Sequence, residues 1–219
     1  MKISVIWPLF IFYLLLTAGC QQVYYTTLEK AGIHKRDLMV NRVEDARDAQ
    51  EEVKEQFQSA LEQFTSVVTV KGGDLQQKYE QLDRVYVKSK EKADLVHKRI
   101  ADVEKVSGAL FDEWEDELRE YSNTRLREDS RAKMNATRRD YERLIKAMKS
   151  AEKKIHPVLT AFHDQVLYLK HNLNAQAISS LQNELVAIED NVAGLVKEME
   201  ASIREAEQFI AAMRKQDAR

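Results

Sequence analysis

Three histidines, His156, His163 and His171, stand seven and eight residues apart. On a helix that spacing sets them along one face with neighbours two turns apart. About 10 Å or more separates such positions, too far to share one metal ion. The sequence has no His-Glu-x-x-His and no Glu-x-x-His pair of the diiron type. Gly72-Gly73 lacks the Lys-Ser/Thr that completes a phosphate loop, and no serine stands in a nucleophile elbow. The carboxylates form rows rather than an isolated pair. The expectation is a chain with no catalytic residues, no metal, no cofactor and no small-molecule substrate. The alternative is an accessory enzyme or a ligand-binding helical bundle whose site leaves no motif.

Two other stretches carry side chains suited to recognition. Trp114 is set among Asp112, Glu113, Glu115 and Asp116. These are seam residues with a solvated acidic face, or a docking patch in which an indole anchors and carboxylates orient a basic partner. Asn172, Asn174 and Gln176 make the second stretch rich in amides. Buried in a seam they would fix register; exposed, they would form a recognition surface. The apolar spacing runs on through them, which favours register.

Cys20 is the only cysteine, so no internal disulfide can form. Before it come Lys2, an apolar run from Ile3 to Leu16 broken by Pro8, and the small residues Thr17, Ala18 and Gly19. That is the order of an export signal, and the run is shorter than the roughly 20 residues that span a bilayer. Leu16-Thr17-Ala18-Gly19-Cys20 resembles the lipobox of bacterial lipoproteins, with Thr17 where leucine is commonest. The resemblance implies cleavage between Gly19 and Cys20 and acylation, palmitate included, of Cys20. Gln21 and Gln22, with no aspartate after the cysteine, imply an outer-membrane address facing the periplasm. The competing readings are an ordinary cleaved signal or an uncleaved anchor.

The 219 residues contain 32% charged side chains, six glycines and two prolines, with a net charge of −2. Few breakers and abundant charge are the composition of long helices. The near-neutral total lacks the basic footprint of a nucleic-acid binder. Acids concentrate in residues 44–63 and 112–120, and bases in 125–154, so these blocks are expected to face one another across neighbouring helices.

Such helices are visible in the periodicity. Met39, Val43, Ala46, Gln50, Val53, Phe57, Ala60, Phe64 and Val67 alternate spacings of four and three, with Gln50 the one polar member. Lys71-Gly72-Gly73-Asp74 ends that seam, with Asp74 suited to cap the next helix. A second seam runs from Leu75 through Tyr86, Ala93, Ile100, Leu110 and Trp114 to Tyr121. Ser122-Asn123-Thr124 is a break with a cap, or the wet face of a continuing helix. The pattern resumes from Met134 to Ile155. A turn or kink is expected near Ile155-His156-Pro157, because Pro157 cannot donate to residue 153. It then continues from Leu159 through Leu173 and Leu181 to Met213. The fold class is all-α, an elongated antiparallel hairpin or coiled-coil bundle of three to four long helices. Residues 1–19 would be the signal, 20–35 a lipidated start and tether, 36–215 one elongated domain, and 216–219 a tail.

Gly32 to Asp37, Arg42 to Ala46, the Gly72-Gly73 turn, Phe111 to Trp114 and Tyr168 to Ser180 together resemble a family of bacterial lipoproteins catalogued as a domain of unknown function, the DUF2959 type. The likeness covers nearly all of the chain after the signal. It implies a helical envelope protein and transfers no catalytic residue. The expected role is a membrane-tethered scaffold, spacer or docking rod that meets an envelope partner or a second copy of itself.

Overall fold

The computed structural model describes residues 34–69, 74–172 and 175–217. Cys20, the signal, the glycine turn and Asn174 lie outside the described residues. Four helices follow in order: α1 Lys35–Thr69, α2 Leu75–Glu120, α3 Thr124–His171 and α4 Ala175–Asp217. No strand occurs among the described residues. At 1.5 Å per residue the 46 residues of α2 span roughly 70 Å.

Each helix packs on the next, and α4 closes back on α1. Cross-helix contacts fix the directions. Lys78 of α2 reaches the Val67 carbonyl near the end of α1, and Lys35 at the start of α1 reaches Glu113 near the end of α2. Arg36 meets Gln216 while Gln182 meets the Val68 carbonyl, so α1 and α4 also run oppositely. Arg138 with Glu115, and Arg143 with Glu205, set α3 antiparallel to α2 and α4. The result is an up-down-up-down bundle, an all-α fold with four long helices.

The four-three positions are its core. All nine seam residues of α1 from Met39 to Val67 are buried, Gln50 included. The eight apolar ones join Val96, Ile100 and Val103 of α2, Leu144, Met148 and Phe162 of α3, and Ile188, Leu195 and Met199 of α4 in one continuous cluster. Fully burying each such side chain contributes roughly 1.5–3 kcal/mol. Phe162 spans the centre, its ring 6.1 Å from Phe57 and 6.2 Å from Phe64. Two polar pairs interrupt the apolar seam. Ser202 Oγ donates to Gln50 Oε1 at 2.8 Å, and Gln56 Nε2 donates to Ser89 Oγ at 3.2 Å. Each pair ties α1 to one neighbour, a register device.

The helix ends repeat the logic of caps. The Asp74 carboxylate accepts from the Gln76 and Gln77 backbone N–H groups. Asn123 Oδ1 accepts from the Leu126 N–H at 3.2 Å, so residues 121–123 are a true break between α2 and α3.

Three expectations change. The chain does not turn at Ile155-His156-Pro157, because α3 runs on through Pro157. Pro157 and Lys153 are both exposed, so the carbonyl left without a donor faces water. The turn comes later, at Asn172, where the backbone N–H bonds to the Leu169 carbonyl and the side-chain amide donates to the Tyr168 carbonyl at 2.9 Å. The acidic block of α1 and the basic block of α3 occupy opposite corners rather than adjacent faces. Acids of α1 meet Lys92 and Arg99 of α2 and Arg214 of α4 instead.

Candidate functional site

Among the described residues, the acidic aromatic segment lies where the four-helix bundle gives way to two helices. Lys35 at the start of α1 is level with Glu113, yet α2 continues for seven residues more, about 10 Å. On the other side Gln216 of α4 reaches Thr137, thirteen residues or about 20 Å into α3. The α2–α3 hairpin therefore overhangs the bundle at the end where α1 begins.

A small cluster holds the overhang together. Phe111, Leu118 and Met134 are buried, with Trp114 and Tyr141 half-buried against them. The Trp114 indole N–H donates to Ser130 Oγ at 2.9 Å, joining α2 to α3. The Arg138 guanidinium lies 4.9 Å over the Phe111 ring and donates to Glu115 at 2.6 Å, adding a cation–π contact to an ion pair. The Phe111 and Tyr141 rings meet at 5.7 Å. Burial pushes the Tyr141 phenol above its ordinary range, and a hydrogen bond with Ser107 acts against that shift.

The four acids beside Trp114 thus divide. Glu113 holds Lys35, whose side chain is only 10% exposed, at 2.6 Å, and Glu115 holds Arg138. Asp112 is exposed, and Asp116 pairs at 2.9 Å with the equally exposed Arg119 on its own helix. Two acids stitch helices together and two face solvent. Sequence reasoning could not find Ser130 or Arg138, because their partnership exists only once α3 folds back.

The amides separate as well. Asn172 closes the end of α3 instead of sitting in a seam, so its role is a cap. Gln176 belongs to α4. Among the histidines, His163 stacks on Tyr86 at 4.9 Å, while His156 and His171 are exposed. Among the described residues no three His, Cys, Asp or Glu side chains gather as metal ligands.

Two spaces accompany this arrangement. A mostly apolar space of about 10 Å³, the size of one water, lies between Phe64, Tyr86 and Phe162, with Gln165 in its lining. An open groove of about 270 Å³ between α1 and α2 is lined by Gln56, Gln63, Gln81, Arg84 and Lys88. Its amides are engaged locally: Gln63 bonds Ser59 at 3.2 Å and Gln81 at 3.5 Å, and Gln56 is committed to Ser89. That makes it a wet cleft between helices, whose cationic donors Arg84 and Lys88 pair with no described residue.

No curated protein and no solved structure matches the chain. The family described as "Protein of unknown function (DUF2959)" matches residues 24–213, most of the 219-residue length. The chain belongs to that DUF2959 family.

Proposed function

We propose that this protein is a lipid-anchored spacer of the bacterial envelope, held at the outer membrane by acylated Cys20 and facing the periplasm. It does no chemistry; it holds a partner, or a second copy, at the Trp114 end close to the lipid and extends the rest of its length into the periplasm. The observation that carries the reading is the continuous seam itself, which invests four helices of 35 to 48 residues in length rather than in a pocket. None of the described helices is long and apolar enough to cross a membrane, so on this reading attachment is the work of Cys20. A multiply acylated cysteine suffices, at about 0.8 kcal/mol per buried methylene. In cells, Cys20→Ser should abolish palmitate incorporation and leave unprocessed precursor. Unchanged labelling and mature size would overturn the anchor.

The partner contact we propose centres on the half-buried Trp114 with Asp112 and Asp116, the two acids that face solvent. Crosslinking in intact cells tests it. Asparagine at both positions should reduce capture of an envelope partner, and added salt should weaken the parent contact in the same way. If every crosslink of the parent persists, Trp114 is simply the hairpin's own packing.

A further inference from the structure

Among the described residues, the turn at the tip of the overhang is the one part of that end that presents large apolar side chains outward. Leu126 is 54% exposed and Tyr121 37% exposed. Neither belongs to the Phe111 cluster. Scattered exposed apolar residues are ordinary on a soluble surface. What distinguishes these two is where they stand. The tip lies about 10 Å beyond the level of Lys35, past the end of the bundle at which α1 begins. Lys35 is clamped to Glu113 of α2, and Arg36 to Gln216 and the Met213 carbonyl of α4, so the root of that chain is fixed to the bundle.

Whatever its conformation, the stretch from Cys20 to Ile33 reaches at most about 50 Å. The far turns, at Asp74 and Asn172, stand a bundle length of roughly 70 Å from the tip. A lipid held at Cys20 therefore keeps the start of α1 within about 50 Å of the bilayer and excludes an inverted bundle whose far turns would meet the lipid. We infer that the α2–α3 turn touches the lipid surface, with Leu126 and Tyr121 seated at the headgroup boundary and the bundle standing away from it. This rests on the anchor reading above.

A tyrosine and a leucine are too little to bind a membrane alone, but the tether makes the contact intramolecular. Tyrosine suits that depth, its ring apolar and its hydroxyl wet. The charges at the tip do not favour anionic lipid, because Arg125 and Arg127 are offset by Glu120 and Glu128. Salt should therefore leave the contact unchanged.

The test uses the full acylated chain, in which Cys20 is blocked and an introduced cysteine is the one free thiol. Leu126→Cys and, as the far-end control, Lys170→Cys are labelled with an environment-sensitive dye. Each is reconstituted into phosphatidylethanolamine–phosphatidylglycerol vesicles carrying lipids spin-labelled near the headgroup. Quenching at position 126 should exceed that at position 170 by about twofold or more, since the far end stands outside the interfacial layer of 5–10 Å. Vesicle flotation of the parent is measured alongside. If the parent floats and position 126 is unquenched, the tip inference falls and the anchor stands. Equal quenching at both positions means a bundle lying on its side and overturns the inference. So does quenching at 126 that changes with protein density, which would indicate a second copy over the tip. A parent that does not float overturns the anchor and, with it, this inference.

Discussion

From Ala93 to Val106, α2 runs between α1 and α3 and buries Ala93, Val96, Ile100, Val103 and Val106 against them. From Phe111 onward the same helix reaches the start of α1, at the Lys35–Glu113 pair, and beyond that pair its neighbour among the described residues is α3. There it buries Phe111 and Leu118, and polar side chains close the rest: Trp114 on Ser130, Arg138 on Glu115. Surrounded on both flanks, a helix can bury plain apolar residues. With one flank open it relies on amphipathic side chains whose polar ends reach across. The overhang is thus cross-linked by directed contacts, while the bundle proper is held by area.

The largest expected effect breaks this comparison if it is wrong. Phe57→Ala empties the centre of the four-helix core beside Phe162 and should cost about 3–5 kcal/mol in denaturant unfolding. Leu118→Ala in the overhang should cost distinctly less, about 2 kcal/mol, because water and neighbours can refill a two-helix site. Equal losses would make the overhang part of the same close-packed unit.

Next in size is the tie between the two regions. Glu113→Gln removes the Lys35–Glu113 ion pair and should lower stability by about 1 kcal/mol. Asp112→Asn, one residue away but exposed, should change it by less than about 0.5 kcal/mol. Indistinguishable melting curves would show that the Lys35 clamp contributes nothing.

Of similar or smaller size and opposite sign is Gly194→Ala within the bundle. An added Cβ there meets nothing within 4 Å, so the change should stabilise by about 0.5–1 kcal/mol. A loss measured by the same unfolding assay would mean that α4 needs the glycine for its backbone.

The smallest effect is in pH. Tyr141 packs against both clusters and marks where they meet. Burial favours its neutral phenol, so its folded pKa stands above the ordinary 10.0 of the unfolded chain. The associated stability is complete below pH 10 and is lost as pH rises through the folded value. Tyr141→Phe should therefore make the alkaline decline of the melting temperature shallower; an unaltered slope would place the phenol in solvent.

Much of the bundle was legible from residues alone. The α1 seam could be read position by position because each member recurs at a helical interval and each is buried. Asp74 was legible because a cap acts on its own next residues. Where a turn or kink was expected at Pro157 the helix does not end, and the turn comes at Asn172. A proline on a wet face costs too little to end a 48-residue helix. A turn built from Asn172 has no glycine or proline signature, and the apolar spacing continues across it by coincidence. The clamps of the overhang were not legible at all. Ser130, Arg138 and Lys35 gain their partners from other helices, at sequence separations of 16, 23 and 78.

The even number of antiparallel helices returns Gln216 to Arg36, so both ends of the domain are neighbours. A tension applied between the start of α1 and whatever grips the far turns would run along the helix axes. It would shear every seam at once, with Lys35 passing load to α2 and Arg36 passing it to α4. A tension applied between the two chain ends would instead peel α1 from α4 one turn at a time, starting at Arg36. The same molecule is a strut in the first loading and a zipper in the second.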